Sequence, residues 1–310
     1  MTSIDLNALF LQNPEKNRTE SGTLYLVATP IGNRMDISLR ALKVLSEVDF
    51  IAAEDTRNSG QLLSSYGIDK PYVSYHEHNQ RARGAEIAAR LKTGESCALV
   101  TDAGMPAISD PGAALVVLCR EEQIPVRCIP GASASVSALA LSALPTDRFV
   151  FEGFLPTLKK DRSARLAALR EETRTAILYE APHRLRRTLA DLASLGDRPL
   201  SVCRELTKIN EETLFLSTRS AVDYYEQREP RGEYVLVLGG ADPDAEKQDA
   251  FWRDMTVTQH VDYYLDTVGM TKKTDAVRAA AQDRGIPKGV LYRMLLDEAP
   301  EAGDGPSRKE

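Results

Sequence analysis

Cysteine, histidine and tryptophan are scarce in this chain of 310 residues, which carries four, four and one of them. The cysteines, Cys97, Cys119, Cys128 and Cys203, fall in apolar or strand-like stretches with no CxxC pair and no histidine at ligand spacing. That excludes a zinc ribbon and a disulfide framework, and it predicts buried free thiols in a reducing compartment. No metal site is expected. No apolar run approaches the ~18 residues that span a bilayer, and the first twenty residues have no basic n-region, so a cytoplasmic protein without membrane contact is expected. The dinucleotide fingerprint GxGxxG and the Walker GK[ST] are both missing where the first strand ends.

An excess of basic charge is also lacking, because 39 Lys and Arg against 45 Asp and Glu leave a net charge of −6. Coating of nucleic acid by bulk charge is excluded, whereas a local basic patch is not. With 43% hydrophobic and 27% charged residues the composition is globular, and the length predicts about two domains.

What is present is an alternation. After a lead-in over residues 1–21 come TLYLVATP, a helix over Ser38 to Ser46, DFIAAED, PYVSYH, a helix over Arg81 to Lys92, SCALVTD, a helix from Pro111 to Glu122 and PVRCIPG. Short β-rich runs alternating with helices predict a mainly parallel sheet covered by helices, here over residues 22–146. From 147 to 240 the strands FVFEGF, TAILYE, LSVCREL, EETLFLST and GEYVLVLGG lie closer together, with helices over Arg162 to Glu171 and His183 to Ser194, and predict a mixed sheet. A polar linker (241–250) leads to a helical module (251–297). There Thr271 is expected to cap a helix running to Asp283, Gly285 to stop it, and Pro287 to open another over Val290 to Leu296, a helix-turn-helix pattern. The last residues, 298–310, have a disordered composition.

Three strand ends carry polar or glycine-rich turns, the place where open α/β sheets bind ligands. In VATPIGN the turn falls at Pro30. In LVTDAGMPAISDPG two carboxylates, Asp102 and Asp110, are held between glycines and prolines, and Gly104 lets backbone approach a flat ligand, while Asp110 is expected to cap the helix that Pro111 opens. In IPGASASVSAL, Ala132 and Ser133 stand at a helix entry. Further polar residues gather in AEDTR (Glu54, Asp55, Arg57), SYHEHN (His76 to Asn79), YEAPHR (Glu180, His183, Arg184) and CRELTK (Arg204, Glu205, Lys208). In an extended segment His76 and His78 should face opposite sides.

From Thr157 to Arg187 there are nine Lys or Arg against four acids, and from Met270 to Met294 six against two. These are the candidate phosphate-binding segments: Lys159, Lys160, Arg162, Arg165 and Arg184 in the first, Lys272 and Lys273 in the second.

Taken in order from Gly22 to Gly240, VATPIGN, AEDTR, SYHEHN, TDAGMPAISDPG, PGASASVSAL, FEGFLP, YEAPHR, CRELTKINEE and GEYVLVLGG resemble the ribosomal RNA small-subunit methyltransferase I family. These are 2′-O-ribose methyltransferases on the tetrapyrrole methylase fold. The resemblance implies a two-lobed α/β fold with a small helix-turn-helix-like module, S-adenosylmethionine as methyl donor, a cytidine of 16S ribosomal RNA as acceptor, and a homodimer. By motif it implies a donor site of Pro30, Asp102, Gly104, Pro106, Ala107, Ile108, Ser109, Ala132 and Ser133, with Tyr179, Leu238 and Gly239 from the second lobe. Glu54, Asp55, Arg57, His76 and Glu180 are the candidate catalytic groups, because a ribose hydroxyl needs a base or a stabilising cation. Two rival readings remain on the residues alone: methylation of a tetrapyrrole ring carbon on the same fold, and a metabolite-sensing regulator that binds nucleic acid without turnover.

Overall fold

The computed structural model describes residues 18–242 and 251–298. Residues 1–17 of the expected lead-in, 243–250 of the linker and 299–310 of the tail lie outside the described residues. The end of the lead-in is fastened to the body: Thr19 Oγ1 donates to Glu47 and the Glu20 amide to the Tyr25 hydroxyl, at 2.6 and 2.7 Å. The chain divides into two units, Met1–Ala241 and Asp242–Glu310.

The first unit begins with a five-stranded parallel sheet in the order β3-β2-β4-β1-β5. Its strands are β1 (Leu24–Val27), β2 (Phe50–Ala53), β3 (Tyr72–Ser74), β4 (Cys97–Val100) and β5 (Val126–Ile129). Strands buried on both faces read as continuous apolar runs, and the two-residue period decides which face each residue serves. Leu24, Phe50, Ala52, Cys97 and Leu99 pack under α3 (Gln80–Lys92) and α4 (Ala113–Glu121). Tyr25, Val27, Ile51, Ala53, Ala98 and Val100 pack under α1 (Leu39–Glu47) and α2 (Thr56–Ser64). Ser38 caps α1 through the Ala41 amide, as its place before the apolar period leads one to expect. Helix α2 has no counterpart in the sequence reading, since its TRNSGQLLS has few strong helix formers; packing of Leu63 on the sheet holds it.

The second sheet is mixed, in the order β6-β7-β10-β8-β9, with only β6 and β7 parallel. It comprises β6 (Phe149–Phe154), β7 (Thr175–Glu180), β8 (Pro199–Arg204), β9 (Glu212–Ser217) and β10 (Tyr234–Leu238). One face packs on α6 (Lys159–Glu171), α7 (Pro182–Ala193) and α8 (Thr218–Glu226). The other face, with Ile177, Cys203, Val235 and Val237, packs on Ala138 and Leu139 of α5 (Ala134–Leu141). Helix α5 follows the first sheet and lies on the second, which joins the two lobes.

The second unit holds α9 (Val257–Asp266), α10 (Lys273–Asp283) and α11 (Lys288–Asp297) around Val261, Val277, Ala280 and Leu291. Gly285, at φ 63°, and Pro287 make the expected turn between α10 and α11. Thr271 does not cap α10: Lys272 holds the cap position and gives no side-chain bond. Of the thiols expected to be buried, Cys97, Cys119 and Cys203 are, whereas Cys128 on edge strand β5 is exposed.

Candidate active site

In the parallel sheet the chain leaves β1 toward β2 on one side and leaves β4 toward β5 on the other, so adjacent strands β1 and β4 form a topological switch point. The two loops that diverge there are tied back to back. Thr29 and Gly104 exchange both backbone hydrogen bonds, at 2.9 and 3.0 Å, and Thr29 Oγ1 donates to the Thr101 carbonyl.

The loop after β4 is held in an unusual backbone. Gly104 has φ 81° and Gly112 φ 143°, and the non-glycine residues Ala107 and Ser109 sit at φ 70° and 59°. Of six non-glycine residues at positive φ among the described residues, four fall in this loop or in the loop between β8 and β9: Ala107, Ser109, Glu205 and Thr207. Such conformations cost on the order of 1 kcal/mol or more and persist where surrounding structure enforces them, often at working sites. The enforcing contact here is β6, whose bulge brings Gly153 against Ser109, where a Cβ would lie 2.9 Å from the Ser109 Oγ.

The loop faces a cavity of about 470 Å³ between the sheets, within the size range of small-ligand sites. The first lobe lines it with Ile31, Gly104, Met105, Ile108, Ser109, Asp110 and Ser133. The second contributes Phe154, Tyr179, Glu180, His183, Cys203, Leu206, Lys208, Glu233, Tyr234 and Val235. Tyr179 closes one side, accepting a bond from the Ser135 amide at 3.2 Å and meeting Phe151 and Phe154 edge to face. A second cavity, about 320 Å³, shares Ile31, Ala103, Lys208 and Glu233 and adds Pro30, Gly32, Arg34, Asn58, Ser59, Leu62 and Asp102. The loop between β8 and β9 covers this junction: Thr207 Oγ1 accepts from the Asn33 amide at 2.9 Å, and Lys208 Nζ bridges Glu205 and Glu233, both at 2.8 Å.

Gly104, Ile108, Ser109, Ser133, Tyr179 and Glu180 thus meet at the larger cavity, with Pro30 and Asp102 in the wall of the smaller one. Pro106 is buried, and Ala107 packs where a Cβ on Gly112 would lie 3.1 Å away, so both shape the loop from behind. Ala132 offers its carbonyl beside Gly104. Leu238 and Gly239 lie elsewhere: Leu238 is fully buried under the helices, and Gly239 bonds the Pro199 carbonyl and the Arg198 side chain. The reason is strand sense, because β10 is antiparallel to β7 and its start, Tyr234 and Val235, faces the cavity instead.

Asp110 does not cap α4, since Gly112 occupies the cap position without a side-chain bond. Asp110 makes no hydrogen bond or ion pair among the described residues, and burial, then the charges of Glu54 and Asp102, push its carboxyl up to about 6. Glu54 is likewise raised, by burial first and then by Asp102. Asn58 donates to Asp102 at 3.2 Å. Asp55, by contrast, caps α2 by accepting the Arg57 and Asn58 amides, a structural task. Arg57 is exposed at that helix start. His76 and His78 lie on one side, ring centroids 6.0 Å apart, because β3 ends at Ser74 and a turn follows; the alternation of an extended strand does not reach them.

Glu180 is buried in a network: it accepts from Thr188 Oγ1 and the Ala181 amide and pairs with Arg184 at 3.3 Å. Arg162 joins the same network through Thr188 and Asp191, at 2.9 and 2.7 Å, and is only 3% exposed, which removes it from any phosphate-binding face. Arg184 also donates to the Leu155 carbonyl, so its charge is internally spent. Arg165 pairs with Glu152, while Lys159 and Lys160 at the start of α6 are exposed and have no ion pair among the described residues. Lys272 and Lys273 are exposed in the second unit. Among the described residues no group of His, Cys, Asp and Glu is arranged to hold a metal ion, and no helix is long and apolar enough to cross a membrane.

The profile of the Tetrapyrrole (Corrin/Porphyrin) Methylases matches residues 23–222. A Halalkalibacterium halodurans protein, ribosomal RNA small subunit methyltransferase I, is 45% identical over 93% of this chain and 99% of its own length. A Synechocystis protein of the same name is 46% identical over 89% of this chain and 98% of its own length. The fold is shared by the uroporphyrin-III C-methyltransferase of Thermus thermophilus complexed with S-adenosyl homocysteine (TM-score 0.51, 19% identity), which covers 70% of this chain and 97% of that one. A doubly wound first lobe, a mixed second lobe, a ligand-sized cavity between them and near half-identity along almost the whole length lead to one conclusion: this chain belongs to the tetrapyrrole methylase family and, within it, to the ribosomal RNA small subunit methyltransferases I.

Proposed function

We propose that this protein transfers a methyl group from S-adenosylmethionine to the 2′-hydroxyl of a cytidine in 16S ribosomal RNA of the small ribosomal subunit, in the cytoplasm and as a homodimer. The observation that carries the reading is the larger cavity, roofed by the strained loop from Asp102 to Gly112 in a chain whose nearly half-identical relatives bear that methyltransferase name. Its residues fit the donor. Apolar walls from Ile31, Met105, Ile108, Leu206 and Val235 suit an adenosine, and the Asp110 carboxylate, without a hydrogen-bond or ion-pair partner among the described residues, suits a sulfonium or ammonium cation.

Bound there, S-adenosylmethionine supplies an already activated methyl group. The protein's share is then to hold acceptor oxygen and methyl carbon in line and exclude water, which positioning alone makes worth several orders of magnitude in rate. Gly104 and Ser109 fix the loop backbone against the ligand; Tyr179 and Phe154 close the opposite side. Asp102, read from the sequence as a donor-site residue, lies in the wall of the smaller cavity bonded to Asn58, and this reading assigns it to take the proton of a hydroxyl presented there. Glu54, its carboxyl raised beside Asp102, and His76 stand behind it as the acceptor-side polar group. Lys159, Lys160 and Arg165 on α6, with Lys272 and Lys273 in the helical unit, are the phosphate contacts this reading assigns.

The test is transfer of labelled methyl into small subunits lacking the modification, followed by mapping of the labelled nucleotide. A methylated ribose is expected. Label on a base or in a corrinoid precursor, with none on ribose, overturns the reading. Sedimentation of the purified protein at the mass of two chains is the companion expectation.

A further inference from the structure

Among the described residues the two most exposed large hydrophobic side chains are Ile209, fully exposed, and Met35, at 86%. They are far apart in sequence yet belong to neighbouring loops. Met35 lies two residues after Asn33, whose amide donates to Thr207 Oγ1, and Ile209 lies two residues after Thr207. The same two loops form the rim of the smaller cavity through Gly32, Arg34 and Lys208.

Neither loop is slack. The β8–β9 loop is pinned by Thr207 N–H to Glu211, by Lys208 N–H to the Glu205 carbonyl and by the Lys208 bridge to Glu205 and Glu233. Left-handed backbone at Glu205 and Thr207 fixes its path. On the facing loop Asn33 caps the short turn from Arg34 to Asp36, and Tyr66 donates to the Arg34 carbonyl. Rigid, hydrogen-bonded loops that hold apolar tips in water lose the gain that burial would bring, unless a partner covers the tips. The partner's charge is indicated at the smaller cavity: Arg34 in its wall, and Arg57, one residue before Asn58 of that wall, are exposed and make no side-chain hydrogen bond or ion pair among the described residues.

We propose that Met35 and Ile209 are wedges that insert against the bases flanking the target nucleotide, unstacking it so that its ribose enters the smaller cavity while Arg34 and Arg57 hold the adjoining phosphates. Apolar side chains driven between base steps unstack them in other nucleic-acid complexes, and extruding a nucleotide from its stack is how proteins bring a single residue into a pocket. The inference rests on the ribosomal RNA methyltransferase reading.

Met35→Ser, Ile209→Ser and the double variant test it, beside wild type, on unmodified small subunits and on an RNA fragment carrying 2-aminopurine next to the mapped nucleotide. Each single variant is expected to raise KM for RNA about tenfold, a loss of about 1.4 kcal/mol, with kcat and donor affinity within about twofold and the melting temperature unchanged. The 2-aminopurine fluorescence is expected to rise on wild-type binding and to lose that rise with the double variant. An unchanged KM and an undiminished rise overturn the proposal. So does a double variant that sediments as a monomer and regains full activity at high protein concentration, because the wedges are then a subunit contact. An inactive wild type would refute the methyltransferase reading itself, a result distinct from either.

Discussion

Replacing Asp110 with Asn tests the electrostatics of the larger cavity. Asp110 rises from an ordinary value of 3.8 to about 6 because burial, Glu54 and Asp102 all disfavour its charge. A shift of about two units corresponds to roughly 3 kcal/mol as an upper bound, and partial exposure to solvent discounts that to about 1–2 kcal/mol. The sign follows from proton counting. Between pH 3.8 and about 6 the folded state binds more protons than the unfolded chain, so stability falls as pH rises through that window, and above it the full penalty stands. Asp110→Asn removes the charge and is expected to be more stable than wild type by about 1–2 kcal/mol at pH 8, with the difference vanishing near pH 4. Urea melts followed by circular dichroism at pH 4, 6 and 8 measure this. The same substitution is expected to weaken donor binding at pH 8 at least tenfold, and wild-type donor affinity is expected to fall below about pH 6 while the variant's stays flat. A variant no more stable than wild type at pH 8, or a stability difference that persists at pH 4, refutes the reasoning.

Arg162→Ala removes a buried guanidinium from Asp191 and Thr188 and is expected to cost about 3 kcal/mol or more, seen as a lower denaturation midpoint. Lys159→Ala with Lys160→Ala is expected to leave that midpoint unchanged, weaken RNA binding and lower the salt slope of log K by roughly one per lysine. Gly104→Val puts a β-branched side chain at φ 81°, next to Ile31 at 3.4 Å, and is expected to lower donor affinity with a loss of about 1–2 kcal/mol in stability by calorimetry. In the helical unit His260 is fully buried, stacks on Trp252, bonds Asp283 through Nε2 and accepts from Arg284 through Nδ1. Burial first, and the Arg284 charge, lower its pKa against the opposing pull of Asp283. The unfolded chain therefore takes up this proton first, and the unit is expected to lose stability as pH falls below about 6.5, a change the single tryptophan reports by fluorescence.

The parallel lobe was legible because its strands are short apolar runs separated by helices with readable ends, such as Ser38 before α1. The loop LVTDAGMPAISDPG was legible as a tight turn at a strand end because it gathers glycine and proline, whereas the cap role read for Asp110 failed because Gly112 holds that position. Helix α2 was not, because TRNSGQLLS carries little helical preference and is held by its contact with the sheet.

The sequence by itself determined the alternation of elements, the two basic segments and, through nine ordered motifs, the family. Only the tertiary structure decided which charges are free. Arg162 and Lys160 lie two residues apart in one basic run, yet the turn of α6 buries the first against α7 and leaves the second in water. The sequence predicted a mixed second sheet but not the sense of its individual strands, and the antiparallel β10 brings Tyr234 rather than Leu238 to the cavity. Local spacing fixes a residue's face within its own element, whereas its burial and partners depend on chain segments remote in sequence.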